Sequence, residues 1–167
     1  MPSTADHPLP VLVPMTEVEY RAFVEAAVPD FAADKIASGE WTEDEALDLA
    51  RRAFESLLPQ GRETGGNHFF TVRDDEAEAV GVLWIATKER AGQRVAYVYN
   101  IGIEPEHRRR GHASRAFLAL EEQARALDAS GIALHVFGHN PGAQALYAKL
   151  GYRPTNINMF KPLGGAK

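Results

Sequence analysis

Arg108, Arg109, Arg110, Gly111, His112, Ala113 and Ser114 stand in one run, and together they describe a seat for a multiply charged anion. The arginines bring local positive charge to a chain whose formal net charge is −5. Gly111 permits backbone that a β-carbon would obstruct, and Ala113 keeps the approach close. The pattern from Gly111 to about Ala129 is helical, so the N–H groups from about Arg109 to Ser114 open a helix N-terminus. Such groups lack intrahelical partners, and the helix dipole adds partial positive charge. A diphosphate is the natural ligand for that arrangement. The plain alternative is a solvated arginine run that happens to meet a glycine, because short glycine patterns recur by chance. Neither a Gly-x-Gly-x-x-Gly fingerprint after a first strand nor a Gly-Lys-Ser/Thr loop is present.

Other reactive side chains lie downstream. Asn140 precedes Pro141, a good helix start in any protein. Tyr147 falls on the helix that follows, where a tyrosine ordinarily packs into a core. His135 lies between Leu134 and Val136 on a strand, and histidine as a residue type suits a proton acceptor near neutrality as well as a solvent-facing position. His139 is four residues on, a spacing that gathers ligands on a helix and not across a strand end, so no metal site is expected. The chain has no cysteine, which removes disulfides, thiolate metal sites and an acyl-cysteine intermediate.

These groups need elements to hold them. Residues 11–15 read as a short strand, and Thr16 with Glu19 forms a capping box that opens a helix. Pro29 is expected to end it, with a second short helix reaching Gly39. Thr42 with Glu45 repeats the box and opens a third helix that stops at Pro59. Residues 68–72, 79–87 and 94–103 are β-branched and aromatic runs, the first two joined by the acidic turn Asp74-Asp75-Glu76, which predicts a meander. A helix over 111–129, a strand over 132–137, a helix over 141–150 and a last strand or bent pair over 152–161 complete a mixed α/β domain built on one sheet.

Composition bounds the rest. At 167 residues and 45% hydrophobic, the chain is expected to form one domain over 1–167, with 1–10 as a flexible tail. The acidic balance argues against general affinity for nucleic acid. The sequence offers neither a signal-peptide pattern nor an apolar run long enough for a bilayer, so a cytoplasmic protein without a membrane partner is expected.

Arg108-x-x-Gly111-x-Ala113 resembles the Arg/Gln-x-x-Gly-x-Gly/Ala signature of the GCN5-related N-acetyltransferase (GNAT) superfamily. The stretch Leu134-x-Val136, Asn140, Ala143, Leu146-Tyr147, Lys149, Gly151-Tyr152 is similar to that family's strand-to-helix motif, at the family's spacing. Ile101-x-Ile103-x-Pro105-Glu106 is similar to its fourth strand and exit. The resemblance covers residues 79–161. It departs at Arg109, where glycine or asparagine is frequent, which leaves the local backbone conformation open.

The resemblance implies an α/β (α+β) fold: a single mixed, mostly antiparallel sheet flanked by helices, its fourth and fifth strands splayed so that the pantetheine arm of acetyl-CoA enters between them. It implies cofactor contacts from Ile101, Ile103, Arg108–Ser114, Asn140 and Tyr147, with His107 and His112 beside the pyrophosphate. Gly102, inside the fourth strand, marks a bulge or a close approach by another chain. Tyr147 is implied as the acid for the departing thiolate, and an N–H beside Ile101 as the oxyanion donor. His135 is taken as the base, with Tyr99, Asn100 and Glu104 as rivals. The acceptor wall is expected from Tyr20, Phe23, Phe31, Trp41, the acidic set Asp30, Asp34, Glu40, Glu43 and Asp44, and Asn156, Asn158 and Phe160. The expected activity is acetyl transfer to a small-molecule amine. Alternatives are a protein or peptide acetyltransferase and an inactive acyl-CoA sensor. A homodimer through the last strands also follows from the resemblance.

Overall fold

Five strands form one sheet in the order β1-β2-β3-β4-β5. The strands are β1 (Leu12–Pro14), β2 (Asn67–Arg73), β3 (Ala79–Arg90), β4 (Gln93–Ile103) and β5 (Ile132–Leu134). All neighbours are antiparallel except β4 and β5, which run parallel because a helix returns the chain between them. That helix is α3 (His112–Ala126); the others are α1 (Glu17–Ala37), α2 (Glu43–Leu57) and α4 (Pro141–Lys149). The computed structural model describes residues 11–164, so the tail expected at 1–10 lies outside the described residues.

Period-two alternation gives the sheet a core on each face. Leu83, Ile85 and Val98 pack with Ala116, Phe117 and Leu120 of α3. Their neighbours Phe69 and Trp84 point the other way, against Phe23 and Ala27 of α1 and Ala50 and Phe54 of α2. Tyr20 and Phe23, expected in the acceptor wall, belong to this second core at 8% and 5% exposure. Buried there, they do not line the wall expected of them.

Both capping boxes form. Thr16 Oγ1 accepts from the Glu19 N–H at 3.2 Å, and Glu45 accepts from the Thr42 N–H at 3.2 Å. Pro29 does not end α1 as expected, and a single helix runs through it to Ala37. Proline's ring costs a hydrogen bond and about 3 kcal/mol in a helix interior. Here Ala27, Val28 and Ala32 are buried on either side of it, and that tertiary packing holds the helix together.

Two further expectations change. The strand expected to reach Phe137 stops at Leu134, where its ladder with β4 stops. Residues 152–161 form no strand; from Arg153 to Gly164 every residue is exposed, including Ile157, Met159, Phe160 and Leu163. No sheet edge pairs with this segment among the described residues, and strand propensity without a partner ladder forms nothing.

Candidate functional site

β4 and β5 begin as neighbours and then part. Ala96↔Ile132, Tyr97↔Ala133 and Val98↔Leu134 are paired, and no pair follows although β4 continues to Ile103. A bulge in β4 sits at the parting: Trp84 opposes Asn100 while Ile85 opposes Val98, which leaves Tyr99 as the extra residue. Beyond it, Ile101 and Ile103 stay in the β3 ladder on one side and face an open edge on the other. A polypeptide-like arm bearing amides fits such an edge, because it can take the bonds a neighbouring strand would have taken.

The chain leaves β4 through a short 3₁₀ turn, Pro105–His107, and enters α3 at Gly111. Arg109 has φ +61° and Gly111 φ +81°, both in the left-handed region. These two left-handed residues turn the chain sharply from the extended Arg108 into the start of α3. Among the described residues the nearby backbone bonds are Arg108 N–H to Pro105 O and Arg115 N–H to Gly111 O, and the N–H groups of Arg109 through Ser114 donate to no protein acceptor. Arg108 donates through Nε to the Ile103 carbonyl at 2.9 Å, so this side chain closes the turn. Arg109 and Arg110 are exposed, while His112, Ala113 and Ser114 are half-buried at the helix start. His107 lies 6.2 Å from His112, ring to ring, and its Nδ1 is buried without a protein partner. Free backbone N–H groups at a helix start are suited to an anion such as a diphosphate.

The β2–β3 turn flanks this seat. Arg115 reaches Asp75 at 2.6 Å. The Asp74 carboxyl is held low, first by the Glu78 N–H and then by that of Glu76, with a smaller pull from His112 and His107.

On the far side of the gap, Asn140 caps α4 as expected, its Oδ1 accepting from the Ala143 N–H at 3.1 Å. α4 brings Tyr147 against Phe117 at 5.3 Å and Tyr152 at 5.8 Å. Burial raises the Tyr147 pKa, so the phenol keeps its proton at neutral pH. Tyr152, in the same cluster, is pushed up to about 12 by burial, then by Glu121 and Tyr147.

His135 follows β5 and is exposed, on the same side of the chain as Phe137 and His139; its ring meets Phe137 at 4.7 Å. Helix α1 approaches from above. Its Asp34 meets His139 Nε2 at 3.0 Å, and beyond its end Glu40 binds Lys35 at 2.5 Å. The Glu40 carboxyl is held low by the Lys35 and Ser38 hydrogen bonds, with a smaller contribution from the charge of His135. Phe31 and Trp41, on the same side, meet edge to face at 5.4 Å, with Lys35 beside both rings. Asn156, Asn158 and Phe160 are exposed on the terminal segment. Sequence reasoning missed Tyr97 and Lys88 here, and the partnership of Asp34 with His139. The two-residue spacing of Tyr97 and Tyr99 was the available signal for the first; contacts 105 residues apart leave none.

The acetyltransferase (GNAT) family model matches residues 26–152. The chain is 41% identical over 149 residues to YdgE, an uncharacterized N-acetyltransferase of Bacillus subtilis (strain 168), in a match covering 89% of this chain and 95% of that protein. It is 33% identical over 153 residues to the uncharacterized N-acetyltransferase YycN of the same organism, covering 92% and 98% respectively. The crystal structure of YycN aligns with a TM-score of 0.87 at 34% identity, covering 91% of this chain and 97% of that one.

Proposed function

Since the chain belongs to the acetyltransferase (GNAT) family and is an acyl-CoA-dependent acetyltransferase, we propose that it transfers an acetyl group from acetyl-CoA to the primary amine of a small molecule by direct attack. The observation that carries this reading is the parting of β4 from β5 after Val98↔Leu134, beside the free N–H groups of Arg109 to Ser114. Acetyl-CoA supplies the activated thioester. In this reading Ile101 and Ile103 bond its amide arm, and Arg109, Arg110, Gly111, His112, Ala113 and Ser114 hold its diphosphate. Arg108 sets the turn, and Asn140 orients α4.

His135 takes one proton from the ammonium form of the acceptor. The freed amine forms a nitrogen–carbon bond at the acyl carbon, and the carbon–sulfur bond breaks. The N–H beside Ile101 stabilises negative charge on the acyl oxygen. Tyr147 gives its proton to the departing sulfur, and the second amine proton restores the phenol through solvent. The raised Tyr147 pKa supports this assignment, because an acid must still hold its proton when the sulfur leaves.

Two copies pairing through residues 153–164, and a cytoplasmic setting, complete the reading. The exposed apolar side chains of that segment support the first. For the second, no helix among the described residues is long and apolar enough to cross a membrane. The test is a thiol-release assay with acetyl-CoA against a panel of small amines, lysine peptides and protein N-termini. Turnover with small amines is expected. Acetyl-CoA binding without thiol release from any acceptor would leave a sensor and end the proposal.

A further inference from the structure

On the α1/α2 face of the sheet, the rings of Tyr97 and Tyr99 lie 4.8 Å apart, inclined by 68°. Tyr99 stacks on Trp84 at 4.4 Å, and Trp84 is 2% exposed, so this floor is fixed to the core. An ammonium lies over both rings: Lys88 Nζ is 4.5 Å from the centre of Tyr97 and 4.6 Å from that of Tyr99. Both distances are well inside cation–π range. Lys35 makes a useful contrast. It sits over Phe31 and Trp41 at 5.7 and 5.5 Å, but Glu40 already neutralises it. Among the described residues no carboxylate pairs with Lys88, and the two rings alone hold its charge.

Position makes this more than a surface contact. Tyr97 pairs with Ala133, and one pair later the strands part at the Tyr99 bulge. His135 comes two residues after Ala133, just past the end of β5, as Tyr99 comes two after Tyr97, so all three positions lie where the strands part. The nucleophile of the reaction is an amine that arrives as an ammonium. The protein's own primary ammonium already rests beside the place where that amine must act.

We propose that Tyr97 and Tyr99 are the ammonium seat of the acceptor site, that the seat takes a primary alkylammonium on an unbranched methylene arm, and that Lys88 is its resident competitor. This rests on the acetyl-transfer reading above. Attraction to the rings needs positive charge, so the seat holds the acceptor before deprotonation. Once His135 takes the proton, that attraction is lost, and the neutral amine is free to enter the gap. The arm of Lys88 shows which shape fits: a chain of methylenes ending in a primary nitrogen. A free alkylamine and a lysine side chain share that chemistry.

The test replaces Lys88→Met, keeping the arm and removing the charge, with Lys88→Gln as a second variant. Binding of n-pentylammonium and of a lysine-containing tripeptide is titrated through tryptophan fluorescence, since Trp84 stacks on Tyr99. KM values are measured by thiol release, with aniline, uncharged at the assay pH, for comparison. The proposal expects Kd and KM for at least one of the cationic probes to fall about twofold to tenfold in both variants. The aniline KM moves by less. In the Lys88→Met background, Tyr97→Phe keeps the gain and Tyr97→Leu loses it. An unchanged or raised Kd for both cationic probes overturns the seat, as does an equal gain for aniline. If Kd falls but no amine is acetylated, the acetyl-transfer reading fails and the seat stands. If amines are acetylated and Kd is unmoved, the seat alone fails.

Discussion

The carbonyl oxygen of Gly102 lies 2.3 Å from the point where a β-carbon on Gly81 would stand. β3 and β4 therefore touch backbone to backbone at the level where β4 has parted from β5. Gly102 itself has room, its own added β-carbon meeting nothing nearer than Val82 Cγ2 at 3.7 Å. Neither the bulge nor the close approach expected at Gly102 falls on that residue: the bulge is at Tyr99, and the residue that must lack a side chain is Gly81 on β3.

Gly81→Ala is accordingly expected to destabilise the fold by about 1–3 kcal/mol, the cost of overpacking, and to weaken acetyl-CoA binding by shifting the open edge of β4. Gly102→Ala costs less than about 1 kcal/mol by the same measure, because its β-carbon makes only an ordinary contact. Chemical denaturation of both variants checks the order, and the reverse order would show that β4 yields easily.

The two left-handed residues of the anion turn predict opposite effects. Gly111→Ala imposes a β-carbon at φ +81° with no atom within 4 Å, so its cost of about 1 kcal/mol is purely conformational. Arg109→Gly relieves a similar strain at φ +61° and raises the melting temperature, while removing one charge from the seat. Thermal melts of the pair decide it. A drop in both would mean that the Arg109 side chain contributes more than its backbone costs.

Tyr147→Phe tests the acid. The variant keeps the ring against Phe117, so acetyl-CoA affinity and stability change little, while kcat falls about a hundredfold. Because burial raises the Tyr147 pKa, its contribution is present through neutral pH and is lost only in alkali beyond the usual phenol range. A rate that matches the parent enzyme across the pH range would remove the tyrosine from the proton path.

Acid stability should depend on Glu19. Its carboxyl is held below the ordinary glutamate range by the Thr71 hydroxyl first, then by Thr16 and Arg73, against a burial effect that pushes it up. A depressed carboxyl stabilises the fold above its unfolded pKa, and the contribution is lost as pH falls through the folded value. Glu19→Gln is expected to cost about 1 kcal/mol at pH 7, and the difference from the parent protein shrinks on acidification. Urea denaturation at pH 7 and in the acid range measures it. A pH-independent difference would assign Glu19 to helix capping alone.

Much of this site was legible in the chain itself, for local reasons. The turn at 108–114, both capping boxes and the Asn140 cap depend on residues within a few positions of one another, and short-range sterics and hydrogen bonding determine them. The strands β2, β3 and β4 were equally plain, because β-branched and aromatic runs bounded by turn residues mark strands. Pro29 shows the limit: local propensity argues for a break, and burial of Ala27, Val28 and Ala32 keeps α1 whole.

By itself, then, the sequence determined the helix start at Gly111, a capped α4 carrying Tyr147, and the strands between which the gap opens. The tertiary structure alone decided the long-range contacts. The Tyr99 bulge, the contact of Gly81 with Gly102, the meeting of Asp34 with His139 and the placing of Lys88 over two rings all join separate elements. None has a local signal, because each is fixed by how α1 and neighbouring strands pack, and packing is a property of the whole fold.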